Sequence, residues 1–122
     1  MANDFKRYTK TNVTTSTGAS GDAVYTVPST GGTAMETVVI GIYLSNTGTT
    51  GVTGSVFLDA GTGTGDDIYV VKDATVPAGS SLEVISGGKL VVQGNGTTND
   101  AVRVSCGTAS SLDVSVSVLE DV

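Results

Sequence analysis

An all-β fold, an antiparallel β-sandwich of about eight strands of jelly-roll or immunoglobulin-like type, is what this sequence predicts, and three observations carry that expectation. The 122 residues include 19 valines and 19 threonines, β-branched side chains that are stiff at χ1 and fit a pleated surface. Apolar residues recur at a spacing of two, most regularly at Leu112, Val114, Val116 and Val118, with Asp113, Ser115 and Ser117 between them. Successive strand side chains point to opposite faces, so this last segment has one dry face and one wet face and needs a partner on each side. Turn residues, 17 glycines among them, interrupt the chain at near-regular intervals, and no helical periodicity competes with the strands.

Taken in order, residues 1–15 read as an extended N-terminal arm, basic and aromatic at first (Phe5, Lys6, Arg7, Tyr8, Lys10) and threonine-rich afterwards. Either an edge strand or a loose tail fits such a segment, and the Ser16 to Gly21 linker separates it from a sandwich domain over 22–122. Asp22 to Val27 alternates and stops at Pro28, which lacks a ladder donor. After a turn at Ser29 to Gly32, Met35 to Ser45 is apolar on both faces and so reads as a central strand. Strict alternation puts Val38, Ile40, Ile42 and Leu44 on one of those faces and Val39, Gly41 and Tyr43 on the other. Val52 to Leu58 follows with Phe57 opposite Val56 and Leu58, and a glycine-rich loop from Asp59 to Asp67 joins it to Ile68–Val71 as a hairpin. Val76-Pro77-Ala78-Gly79 is a turn, because proline presets φ and glycine supplies a permissive backbone. Ser81 to Ile85 and Lys89 to Gln93 flank Gly87-Gly88, a two-residue hairpin signal. Ala101 to Cys106 and Leu112 to Leu119 complete the set.

Composition narrows the chemistry. The formal charge is −6 and there is no histidine, which removes the usual general base and the commonest metal ligand. The single cysteine, Cys106, can form no internal disulfide and has no histidine to activate it, so it reads as a small buried thiol. An enzyme therefore stands well below a binding or structural role, and no cofactor is expected. Half of the positive charge lies in the first ten residues, and an acidic body repels phosphate backbones, which argues against nucleic acid. No apolar run approaches a membrane span, and the N-terminus lacks the apolar core of a signal peptide, so the expectation is a cytosolic product that later joins something.

Two groups of side chains stand out. Asp59, Asp66 and Asp67 flank a glycine loop and could offer oxygens to calcium, but the spacing is not that of an EF-hand, and acidic hairpin tips are commonly solvated turns. Tyr43, Phe57 and Tyr69 occupy the less regular faces of their strands and read as subunit contacts in a homo-oligomer. With no tryptophan, an aromatic glycan platform is a weaker reading.

Several stretches together resemble small β-sandwich virion proteins of tailed bacteriophages, especially marine and cyanobacterial ones. They are Met1 to Arg7, Ser45-Asn46-Thr47, Asp67 to Ala74, Val76 to Leu82 and Asp113 to Glu120. The resemblance implies a virion protein, made in the host cytoplasm, that decorates or cements the outer capsid as a trimer clamping the major capsid protein. It also implies that Phe5, Lys6, Arg7 and Tyr8, with Lys10, anchor the protein to the lattice or to a sister subunit. A neck, collar, tail or fibre component that takes part in assembly or host recognition is the alternative. A calcium-dependent adhesion or glycan-binding module is the alternative of another class.

Overall fold

The structure, a computed structural model, describes residues 3–28, 32, 34–61, 65–85 and 89–121. Those residues form nine strands: β1 (Asn3–Lys10), β2 (Asp22–Thr26), β3 (Met35–Asn46), β4 (Val52–Asp59), β5 (Ile68–Val76), β6 (Ser81–Glu83), β7 (Leu90–Gly94), β8 (Ala101–Cys106) and β9 (Leu112–Asp121). They make two antiparallel sheets, one in the order β1-β9-β3-β6 with β7 also on β3, the other β2-β8-β4-β5. The β-sandwich predicted from alternation is the observed architecture. β9 has its two partners, β1 and β3, and Leu112, Val114, Val116 and Val118 are all buried. Facing them from the other sheet are Val56, Val76, Val102 and Val104. Full burial of a side chain of this size is worth roughly 1.5–3 kcal/mol, so this apolar layer is what holds the sheets together.

The layer is thin at Gly54, where a Cβ would come within 2.7 Å of Leu44 Cδ1 and 3.2 Å of Leu112 Cδ2. At the end of the sandwich beyond β3, the buried Asn46 side chain donates to the carbonyls of Thr50 and Val76 and accepts from the Gly48 amide. It thereby holds the turn into β4 against the end of β5. The Val76 to Gly79 turn forms as expected, with Gly79 at φ 69° and the Ser80 amide donating to the Pro77 carbonyl.

Three details resolve or depart from the sequence reading. β1 pairs with β9 along its whole length, from Asn3↔Asp121 to Lys10↔Val114. Of the two readings left open, an edge strand and a loose tail, Asn3–Lys10 takes the edge strand. Its continuation is pinned as well: the Val13 amide donates to Leu112 O in one sheet, and Thr14 O accepts from the Cys106 amide in the other.

The second departure lies in β3. Its pairing with β9 shifts between Val39 and Gly41, a bulge that inserts one residue and reverses the facing of everything beyond it. Met35, Thr37 and Val39 point inward before the bulge and Ile42, Leu44 and Asn46 after it, while Ile40 and Tyr43 are exposed. Strict alternation had put Val38 and Ile40 on the face of Ile42 and Leu44; the bulge moves them to the side of Tyr43.

The third concerns β6 and β7. Both run antiparallel to β3, at Tyr43–Ser45 and Met35–Val39 respectively, so they are two collinear pieces of one interrupted strand and not the arms of a hairpin. Gly87 and Gly88, on which the hairpin signal rested, lie outside the described residues, as do Met1 and Ala2 and parts of the turns at Ser29–Gly32 and Asp59–Asp67.

Candidate functional site

The β1 residues divide between two surfaces, because alternate side chains leave a strand on opposite sides. On the inner side, Tyr8 packs its ring 4.9 Å from that of Tyr25, which is buried in β2 of the other sheet. Both phenols converge on Glu120 in β9, whose side chain is 0% exposed. Tyr25 donates to Glu120 Oε2 at 2.7 Å and Tyr8 donates to the same oxygen at 3.3 Å. The other oxygen, Oε1, meets Lys6 Nζ at 3.0 Å as an ion pair, with 45% of the Lys6 side chain still in water. Thr37 completes the cluster through a 2.9 Å hydrogen bond between its hydroxyl and that of Tyr25.

Burial alone would push the Glu120 carboxyl up, but the Tyr25 hydrogen bond and the adjacent Lys6 ammonium outweigh it and hold the carboxyl below its ordinary value. The same contact raises the Lys6 ammonium, and burial raises both phenols. A buried carboxylate this well supplied with donors ties edge strand, last strand and opposite sheet together. Sequence reading did not single out Glu120 or Tyr25, although Glu120 continues the Leu112, Val114, Val116, Val118 parity and so falls on the inner face.

On the outer side, Phe5 is 77% exposed, the most exposed large apolar residue among the described residues. With Lys6, Arg7, Ile40, Ser117 and Val118 it lines an open groove of about 360 Å³. The groove belongs to a larger apolar face, since Ile40, Tyr43 and Val91 on the same side of this sheet are 41%, 47% and 50% exposed. Lys10 is exposed at the end of β1. Cationic side chains along a free edge are what keep such a strand from pairing with strangers.

Phe57 and Tyr69 lie on the far side of the sandwich, paired across β4 and β5 with ring centroids 5.0 Å apart, edge to face. Lys72 Nζ sits 5.2 Å over the Tyr69 ring. The structure therefore separates the three aromatics taken as subunit contacts, leaving Tyr43 with Phe5 and placing the other two on the opposite surface. Beside them Arg103 Nε binds Asp59 Oδ2 at 2.7 Å. Asp67 accepts from the Ala60 amide, and Asp66 is exposed. Among the described residues no three Cys, Asp or Glu side chains gather as a metal site. Cys106 is buried, its thiol against the Val13 and Thr108 carbonyls at 3.2 and 3.1 Å, and burial raises its pKa.

Fold and surface together define a two-sheet antiparallel β-sandwich with a locked inner polar cluster and an exposed apolar face. Comparison with protein-family models, with curated proteins and with solved structures finds no match.

Proposed function

We propose that the chain is a structural protein of a tailed-bacteriophage virion, a capsid decoration or cement protein that binds and stabilises the major capsid lattice as a homo-oligomer. The observation that carries this reading is the outward presentation of Phe5 and Arg7 on an edge strand whose inner residues are locked to the body. A rigidly seated apolar and cationic edge on a chain of net charge −6 is suited to dock on an apolar, acidic lattice without an ordering cost at the contact. The resemblance of the chain to small β-sandwich virion proteins supplies the identity of that lattice.

The test is the copy number of this protein in purified particles, by gel densitometry against the major capsid protein. A stoichiometry near that of the capsid subunit supports cement. A few copies, in a small multiple of the tail symmetry, would replace it with a neck or tail role, and none would overturn the virion reading. Removing residues 1–10 is a poor second test, because it strips Lys6 and Tyr8 from a buried carboxylate. Phe5→Ala with Arg7→Ala leaves the cluster in place, and particles assembled with that variant should lose it.

A further inference from the structure

Asparagine is thermolabile because the amide nitrogen of the next residue can attack its side-chain carbonyl, and the asparagines of this chain meet that nitrogen in different states. Only Asn95 is followed by glycine; elsewhere the neighbour is Asp4, Val13, Thr47 or Asp100, whose side chain screens the nitrogen. Three of those amides are also engaged, since Val13 donates to Leu112 O, Thr47 to Ser111 O and Asp100 to Gln93 O, each at 2.9 Å. A bonded amide must give up its bond before it can act as a nucleophile. Among the described residues no group accepts from the Gly96 amide. With φ at 88°, Gly96 also occupies a position that the turn between β7 and β8 reserves for glycine.

The carbon under attack is prepared as well. The turn closes with the Asn95 amide donating to Thr98 O at 3.1 Å, and Asn95 Oδ1 accepts from the Thr97 and Thr98 amides at 2.9 and 2.8 Å. Attack on Cγ turns that oxygen into an oxyanion, so two backbone N–H groups already stand where the negative charge develops. Asn95 is exposed and Gly96 half-buried, so water and hydroxide reach the pair. The buried Asn46 is the contrast: its Oδ1 accepts from the Gly48 amide, and its Nδ2, the group that would have to leave, is held by the Thr50 and Val76 carbonyls.

We propose that the folded chain modifies itself at Asn95, converting the side-chain amide to an acid. Hydroxide takes the proton of the Gly96 amide, the nitrogen attacks Asn95 Cγ, and the Oδ1 oxyanion forms between the Thr97 and Thr98 amides. Its collapse breaks the Cγ–Nδ2 bond, and Nδ2 takes a proton from water, which restores the hydroxide, and leaves as ammonia. What remains is a succinimide ring between residues 95 and 96. One water opens it: cleavage between Cγ and the Gly96 nitrogen gives aspartate, whereas cleavage between the backbone carbonyl carbon and that nitrogen gives isoaspartate. Aspartate keeps an acceptor for both amides, and a charged one. Isoaspartate puts an extra carbon into the main chain, which moves the Gly96 carbonyl off the Gly32 amide that donates to it at 3.3 Å. The reaction needs no partner and is independent of the virion reading.

The experiment is incubation of the full folded chain in mildly alkaline buffer, with ammonia release measured and the products located by peptide mass mapping and an isoaspartate assay. One equivalent of ammonia is expected, all of it from Asn95, leaving a mixture of aspartate and isoaspartate. The rate should rise about tenfold per pH unit, because the attacking nitrogen must lose its proton. Asn95→Asp should release none. Gly96→Ala would strain the turn, so the cradle is tested without a substitution: the same chain in urea keeps the Asn-Gly pair and loses the two positioned amides. The folded chain should convert Asn95 at least as fast as the unfolded one. Slower conversion in the folded state, an intact Asn95, equal conversion at Asn12, Asn46 or Asn99, or ammonia from Asn95→Asp would each overturn the proposal.

Discussion

The Tyr25 hydroxyl donates to Glu120 Oε2 at 2.7 Å, joining the edge strand of one sheet to the last strand of the other inside the sandwich. Packing alone would let the two sheets slide, whereas a directional bond to a buried charge fixes their relative position. Lys6 and Tyr8 bring β1 to the same carboxylate, so the terminal strand is held by chemistry as well as by its ladder.

Tyr25→Phe removes the shortest of these bonds and leaves the Thr37 hydroxyl short of a partner. The loss should be about 1–3 kcal/mol of unfolding free energy, measured by urea titration with an unchanged slope. A change below about 0.5 kcal/mol would show that the bond is not a determinant of stability.

Glu120 also gives the protein an acid limit. Its carboxyl is held below the ordinary value of 4.5, so the folded state binds its proton less readily than the unfolded chain. The stability this contributes is complete above the unfolded value and is lost as the pH falls through the lower folded value. Glu120→Gln removes this titration, so the variant should be less stable than wild type at neutral pH but lose less between pH 5 and pH 2 (about the span of carboxylate titration). Equal acid slopes in the two proteins would show that other carboxylates set the limit.

Gly54 is a packing constraint with a sharp prediction. A methyl group there would collide with Leu44 and press on Leu112, both fully buried. Gly54→Ala should therefore cost about 1–3 kcal/mol through overpacking, seen as a lower melting temperature. An unchanged or raised melting temperature would mean that the two leucines move aside freely.

Phe5 should behave in the opposite way. Because it is 77% exposed, Phe5→Ser should change monomer stability by no more than about 0.5 kcal/mol in chemical denaturation at low protein concentration. A larger loss would place Phe5 in the monomer core and remove it from the contact face.

Much of this was legible in the chain, and the reasons are local. The Leu112 to Val118 alternation identified its own inner face, and Pro77 with Gly79 announced the turn after β5. Asp59 stood out only as an acidic loop residue; its partner Arg103 is 44 positions away, and no spacing rule connects them. The Glu120 cluster was missed because its members, at 6, 8, 25, 37 and 120, come from four strands of two sheets. Only the parity of Glu120 hinted at its burial. The bulge at Ile40 had a faint signal in Gly41, since an isolated glycine within a strand often marks a bulge.

By itself the sequence determined that these residues form strands, where the turns lie and which residues of β9 face inward, since each follows from backbone preferences and a two-residue period that neighbours set. The tertiary structure decided that Asn3–Lys10 belongs to a sheet and that Val38, Ile40 and Tyr43 share an exposed face with Phe5. It also decided that a carboxylate near the C-terminus is buried among tyrosines. Those outcomes depend on register between strands distant in the chain, and one inserted residue at a bulge is enough to turn a core side chain into a surface one.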